Sequence, residues 1–215
     1  MGKGKEKTET PSEKKSFFSI LRKNKNPDAK SKDTVEYING DVYTGELLDG
    51  DRDGFGTHRY ADGSEYVGNW KSDLYNGQGT FTGADGTHYS GDHILGARSG
   101  HGKLRQSNGD FYEGEFANGL FEGKGKITYA NGDVYEGDFV AGKRTGTGTF
   151  TSAGGDTYTG GWKNDKLHGY GVATFVGGEK YEGEWKENAR HGKGKATNEN
   201  GEVFSGTFKN DIFVK

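Results

Sequence analysis

The stretch GSEYVGNWKSDLYNGQG (63–79) is one copy of a unit that recurs along most of the chain, and its reading decides the fold. Aligned on Gly40, Gly63, Gly86, Gly109, Gly132, Gly155, Gly178 and Gly201, the unit returns every 23 residues without insertion. With that glycine as position 0, position 3 is Tyr43, Tyr66, Tyr89, Tyr112, Tyr135, Tyr158, Tyr181 and Phe204. Position 7 is Leu47, Trp70, His93, Phe116, Phe139, Trp162, Trp185 and Phe208. Positions 5, 14 and 16 are glycine in every complete repeat, so most of the 40 glycines are placed by the period. A fixed period of this length marks a stacked repeat architecture.

Two turns per period are legible. The residue before position 0 is Asn, Asp or Gly throughout, as in Asn39-Gly40 and Asp62-Gly63. Such pairs reach φ > 0 cheaply and are strong hairpin signals. Position 10 is always Gly, Asp or Asn, the residue types that accept the left-handed region. A helix is excluded by the glycine frequency, at about 1 kcal/mol for each interior glycine. The expected fold is therefore all-β: an elongated single-layer antiparallel sheet of stacked hairpins.

Register follows from which residues must share a face. Positions 3, 5 and 7 alternate to one side of a strand. A three-residue loop ending in Gly at position 0 sets Tyr opposite the mostly apolar position 18, and glycine 5 opposite glycine 16. Rings then lie over glycine hollows. On the other face the same register pairs Glu113 with Lys126, Glu115 with Lys124, Glu182 with Lys195 and Glu184 with Lys193. With His93 and Gln106 in place of rings, the third repeat should carry the weakest ladder.

Charge divides the chain at residue 33. Residues 1–33 carry +5 and residues 34–215 carry −8, together the net −3. The expected organisation is a basic, largely disordered tail (1–33) followed by the array (34–215), seven full repeats from Gly40 and a partial eighth from Gly201. Thr10-Pro11-Ser12-Glu13 has the form of a capping box, which allows a short amphipathic helix over 11–23. Its run KKSFFSILRK (14–23) sets Phe17, Phe18, Ile20 and Leu21 among Lys14, Lys15, Arg22 and Lys23, a pattern suited to an anionic membrane surface. A solubilising tail, or one that docks on the protein's own sheet, fits the same residues.

Chemistry-bearing patterns are sparse. With no cysteine, disulfides and thiolate metal sites are excluded. The six histidines are not clustered at metal-ligand spacing, and His168 and His191 occupy the same repeat position. An acidic row at position 1 (Asp41, Asp110, Asp133, Asp156, Glu179, Glu202) has members about 9–10 Å apart, too far to share a calcium ion. Gly-x-Gly pairs precede strands and are not nucleotide loops. Balanced charges on the outer face speak against nucleic acid. No nucleophile is paired with a base, so the expectation is a non-enzymatic protein without a cofactor.

The unit Gly-x-x-Tyr-x-Gly-x-Trp-x-x-(Gly/Asp/Asn)-x-x-x-Gly-x-Gly, as at 63–79 and 178–194, resembles the MORN repeat, and the resemblance covers residues 34–211. It implies a twisted hairpin array of the kind that tethers membranes, organises cytoskeletal or ciliary structures, or accompanies kinase and methyltransferase domains, for which the chain leaves no room. The expected function is a cytoplasmic scaffold that takes a peptide or helix along its aromatic face: Tyr43, Tyr66, Trp70, Tyr112, Phe116, Tyr135, Phe139, Tyr158, Trp162, Tyr181 and Trp185. The alternative is a peripheral protein that binds anionic phospholipid largely through its tail. Because the array stops half-way through a repeat, Phe204, Phe208 and Phe213 could form a homodimer edge, which the resemblance also implies; residues 211–215 folding back over that edge is the competing expectation.

Overall fold

The computed structural model describes residues 30–214, in two compact units that divide after Gly100. No helix occurs among the described residues. The first unit holds β1 (Ser31–Glu36), β2 (Val42–Leu48), β3 (Asp51–Arg59), β4 (Glu65–Lys71), β5 (Leu74–Thr82), β6 (His88–Ile94) and the start of β7 (Ala97–Arg105). The second holds the rest of β7, then β8 (Phe111–Ala117), β9 (Leu120–Thr128), β10 (Val134–Val140), β11 (Lys143–Thr151) and β12 (Thr157–Lys163). It continues through β13 (Lys166–Thr174), β14 (Lys180–Lys186), β15 (Ala189–Thr197), β16 (Val203–Lys209) and β17 (Ile212–Phe213). From β1 to β6 and again from β8 to β17, each strand pairs antiparallel with the next.

Both turns take the geometry their residues favour. At position 0 the Gly40 amide donates to the Tyr37 carbonyl at 3.0 Å and the Tyr37 amide to Asp41 at 2.9 Å, closing a three-residue loop with Gly40 at φ +89°. The odd register follows, with Tyr66 opposite His58 and Gly68 opposite Gly56. At position 10 Asp49 and Gly50 both have positive φ between the paired Leu48 and Asp51, a type I′ turn.

One part of the expected register is corrected. Glu113 does face Lys126, and Glu182 faces Lys195. Beyond Gly114, however, a β-bulge brings Glu115 opposite Glu122, not Lys124. The cause is the glycine at position 14: Gly123 is left-handed at φ +58°, and a Cβ there would lie 2.5 Å from the Glu115 carboxylate. Glu115 instead accepts the Lys124 backbone amide at 3.3 Å, and Glu184 accepts that of Lys193 at 3.1 Å. The Lys124 ammonium turns to Asp138 of the next repeat, 2.6 Å away.

The bulge also anchors the core. Each position-3 tyrosine lies flat over the glycine pair and donates its hydroxyl to the carbonyl of position 6, as Tyr112 to Glu115 at 2.8 Å and Tyr66 to Asn69 at 3.0 Å. A Cβ on Gly125 would meet the Tyr112 hydroxyl at 2.3 Å. Position-7 rings stand edge-on between successive tyrosines; Phe139 meets Tyr112 at 5.4 Å and Tyr135 at 5.2 Å. Burial is complete enough that Tyr43, Tyr66, Tyr112 and Tyr135 are 0% exposed although the sheet has one layer.

The ends are partly covered. β1 begins at Ser31, so the expected boundary after residue 33 falls inside a strand. Buried Asp53 receives Lys30 at 2.9 Å and Lys71 at 3.0 Å, hydrogen bonds that hold its carboxyl below the usual range. At the other end Phe213 pairs with Phe208 and Ile212 with Lys209, so the chain folds back on β16. The expected helix over 11–23 and the tail residues Lys14, Lys15, Phe17, Phe18, Ile20, Leu21, Arg22 and Lys23 lie outside the described residues.

Gly114→Val should therefore destabilise the array by about 2–3 kcal/mol, since its branches would strike Gly125 Cα and the Tyr112 hydroxyl. Glu113→Val, on the solvated face, should cost less than about 0.5 kcal/mol. Urea unfolding of the two variants provides the check, and equal midpoints would contradict the register.

Candidate functional site

The ring-lined face is the candidate binding surface, and its residues divide into a buried floor and accessible walls. Tyr43, Tyr66, Trp70, Tyr112, Phe116, Tyr135, Phe139, Tyr158, Trp162, Tyr181 and Trp185 all lie in the floor, none more than 8% exposed. Their packing is internal, ring on ring. A partner on this face meets what stands around them.

Position 12 supplies much of that surround, and the sequence reading passed over it. It reads Arg52, Tyr75, Arg98, Phe121, Arg144, Leu167 and Arg190, so arginine returns every second repeat. Tyr75 stacks on Tyr66 at 3.7 Å and Phe121 on Tyr112 at 3.7 Å. Three of the arginines lie over rings of the following repeat, Arg52 4.2 Å from the Trp70 centroid, Arg144 4.5 Å from that of Trp162 and Arg190 5.6 Å from that of Phe208, while Arg98 lies 5.6 Å from Tyr89 of its own repeat. Arg52, Arg144 and Arg190 are fixed by the position-10 aspartate of the following repeat, Arg52 Nε to Asp73 at 3.1 Å, Arg144 to Asp165 at 3.3 Å and Arg190 to Asp211 at 3.2 Å; after Arg98 that position is Gly119. The signal was a 46-residue period inside the 23-residue one.

In the second unit these parts enclose an open hollow of about 570 Å³. Tyr129 and Phe150 line it together with Arg144, Asp110, Ala130 and Asp133. Asp110 and Asp133 belong to the acidic row at position 1. Each accepts a backbone amide of the next turn, Ala130 to Asp110 and Ala153 to Asp133, both at 2.8 Å. The row stitches one turn to the next, and among the described residues no group of three or more His, Asp or Glu could hold a metal ion.

Two histidines are built into the floor of the first unit. His58 is fully buried and donates from Nε2 to Asp41 at 3.3 Å, while its Nδ1 receives Arg52. Burial, with Arg52 beside it, holds its pKa below the ordinary value. His93 takes the ring slot at position 7, 5.0 Å from Tyr89 and 5.3 Å from Tyr66. Desolvation, with Arg98 nearby, pushes it down to about 4.

A profile of the MORN repeat matches seven times in succession, at residues 43–65, 66–88, 89–111, 112–134, 135–157, 158–180 and 181–203. The chain belongs to the MORN-repeat family. Among the curated proteins none matches this MORN chain. Solved structures similar to it include the SAS-4 (dCPAP) TCP domain of Drosophila melanogaster in complex with a proline-rich motif of Ana2 (dSTIL). That domain is 16% identical, with a TM-score of 0.42, over 78% of this chain and 99% of that one. The TCP10 domain of Danio rerio CPAP in complex with a STIL peptide is 11% identical, with a TM-score of 0.37, over 81% of this chain and 83% of that one. At such identity and overlap, neither likeness carries a statement about function.

Of the residues expected at a dimer edge, Phe208 is buried beneath Tyr181 and Phe213, while Phe204 and Phe213 stay 44% and 41% exposed.

His93 gives the MORN array a pH dependence. Above its ordinary value near 6.5 it is neutral in both states and contributes none. Between there and about 4 the unfolded chain binds a proton that the folded chain refuses, so stability falls; below about 4 the loss levels off. The loss should approach about 3 kcal/mol. His93→Phe, which restores a ring at this slot, should remove most of it when unfolding is measured at pH 7 and pH 4.5.

Proposed function

We propose that this MORN array is a non-enzymatic scaffold that receives an extended or helical segment of a protein partner on its ring-lined face. The carrying observation is the open hollow where Tyr129 and Phe150 meet Arg144, Asp110 and Asp133, beside a floor of buried rings fixed by hydrogen bonds and ring contacts. Peptide-binding surfaces need that combination of an apolar pocket for anchor side chains and a polar edge for orientation. A rigid floor lowers the ordering cost of binding. The ladder residues act by shaping this surface. On this reading the protein works in the cytoplasm, at a cytoskeletal or ciliary structure, without nucleic acid or cofactor.

Peptides selected on the full chain from a random displayed library stand in for the partner; they would be synthesised and titrated by calorimetry. Ala130→Arg, which fills the hollow from an exposed position, should weaken those that use it at least about tenfold, or 1.4 kcal/mol, with an unchanged melting temperature. Selected peptides that bind both forms equally would remove the hollow as the site.

A second reading rests on KKSFFSILRK (14–23), whose rings and charges suit the anionic, cytoplasmic face of a membrane. Vesicles of phosphatidylserine and phosphatidylcholine should sediment the full chain. Phe17→Ala with Phe18→Ala should release it, and salt should weaken what binding is left. Equal sedimentation of a chain lacking residues 1–29 would exclude the tail as anchor.

A further inference from the structure

The position-10 turns are polar in most repeats and apolar in a few. In the first unit Ile94 and Leu95 are 57% and 74% exposed at the tip of one turn, beside Leu74, 37% exposed, on the turn before. Leu74 reaches across to within 3.8 Å of the Cβ direction of Gly96, so the three form one step. Leu95 also has φ +49°. A leucine is strained in the left-handed region, where Asn or Gly would sit freely. Five of the other seven turns place Asp, Ser or Asn here: Asp49, Ser72, Asn118, Asn164 and Asn210. Strain together with exposure leaves Leu95 without a folding role.

In the second unit the position-10 turns carry a second apolar step. Leu120 and Val140 are 50% and 55% exposed, and Leu120 lies 3.9 Å from the Cβ direction of Gly142. What borders the two steps differs in sign. Asp49 and Asp51, both exposed, occupy the turn before Leu74. Lys143 and Lys163, both exposed, occupy the turn of Val140 and the one after it. Lys71, opposite Leu74, is bound to Asp53 at 3.0 Å and Asp165, beside Lys163, to Arg144 at 3.3 Å, so the remaining border charge is acidic at the first step and basic at the second.

We propose that these two surfaces bind each other between copies: the Leu74–Ile94–Leu95 step of one chain docks on the Leu120–Val140 step of a second. Complementary charge selects a second copy as the occupant, since each chain presents both halves of the contact. An anionic membrane is disfavoured at the first step by Asp49 and Asp51. Apolar turn tips supply the buried area and the charged borders fix which step meets which. This contact is separate from the hollow around Tyr129 and from the chain end at Phe213.

Sedimentation equilibrium of the full chain over about 1–100 µM, a range that covers micromolar self-association, is the test. The wild type should exceed the monomer mass of 23.4 kDa as concentration rises. Leu95→Asn should give a monomer whose melting temperature equals or exceeds that of the wild type, because the substitution relieves the backbone. Two charge-reversed chains complete the test, Asp49→Lys with Asp51→Lys, and Lys143→Glu with Lys163→Glu. Each should be monomeric alone, and an equimolar mixture should associate again. A wild type that stays monomeric, a mixture that stays monomeric, or association that survives Leu95→Asn but is lost on Phe213→Ser would each overturn the inference.

Discussion

A tyrosine ring laid over two facing glycines, with its hydroxyl bonded to the carbonyl at the β-bulge, is the contact on which the rest of each repeat depends. The two glycines approach so closely that no side chain fits between the ring and the backbone beneath. The hydroxyl needs a carbonyl at one height above the strand, and the bulge puts it there. Tyrosine at position 3, glycine at 5 and 16 and left-handed glycine at 14 are thus one device. Changing any of them leaves the others without a purpose.

That device explains how a single layer can have a core. Sheets ordinarily bury one face against a second layer. Here the position-3 ring lies down, the position-7 ring stands between two such rings, and position 12 closes the side, with a stacked ring at Tyr75 and Phe121 and an aspartate-held guanidinium at Arg52, Arg144 and Arg190. Within each unit a repeat completes its neighbour's core, so burial depends on stacking, as in other linear repeat proteins. The third repeat departs most, with His93 in a ring slot, and there the cost in stability is set by pH.

Much of this was legible because turn chemistry and the period of two are local. Asn-Gly at position 0 and Gly or Asp at position 10 fixed both loops, and with them the facing of Tyr66 and His58. Glu115 and Lys124 were misplaced because the bulge depends on the left-handed Gly123, and a glycine's φ cannot be read from its identity. The alternation at position 12 was open to inspection, yet arginine reads as solvated polarity until its aspartate and tryptophan partners, 21 and 18 residues on, are seen beside it. For the binding surface the lesson is similar. Aromatic residues at positions 3 and 7 were visible as a face, but only packing separates the floor they form from the hollow around Tyr129 and Phe150.

The central claim concerns tyrosine and glycine acting together, so a double-mutant cycle measures it most directly. Gly125 has no positive φ, and the three nearest atoms that a Cβ there would meet all belong to the Tyr112 side chain. Urea unfolding would be compared for the wild type, Gly125→Ala, Tyr112→Ala and the double variant. Gly125→Ala should cost about 2 kcal/mol when Tyr112 is present and become neutral or stabilising when it is absent. An equal cost in both backgrounds would contradict the account, because the glycine would then be required by the strand and not by the ring above it.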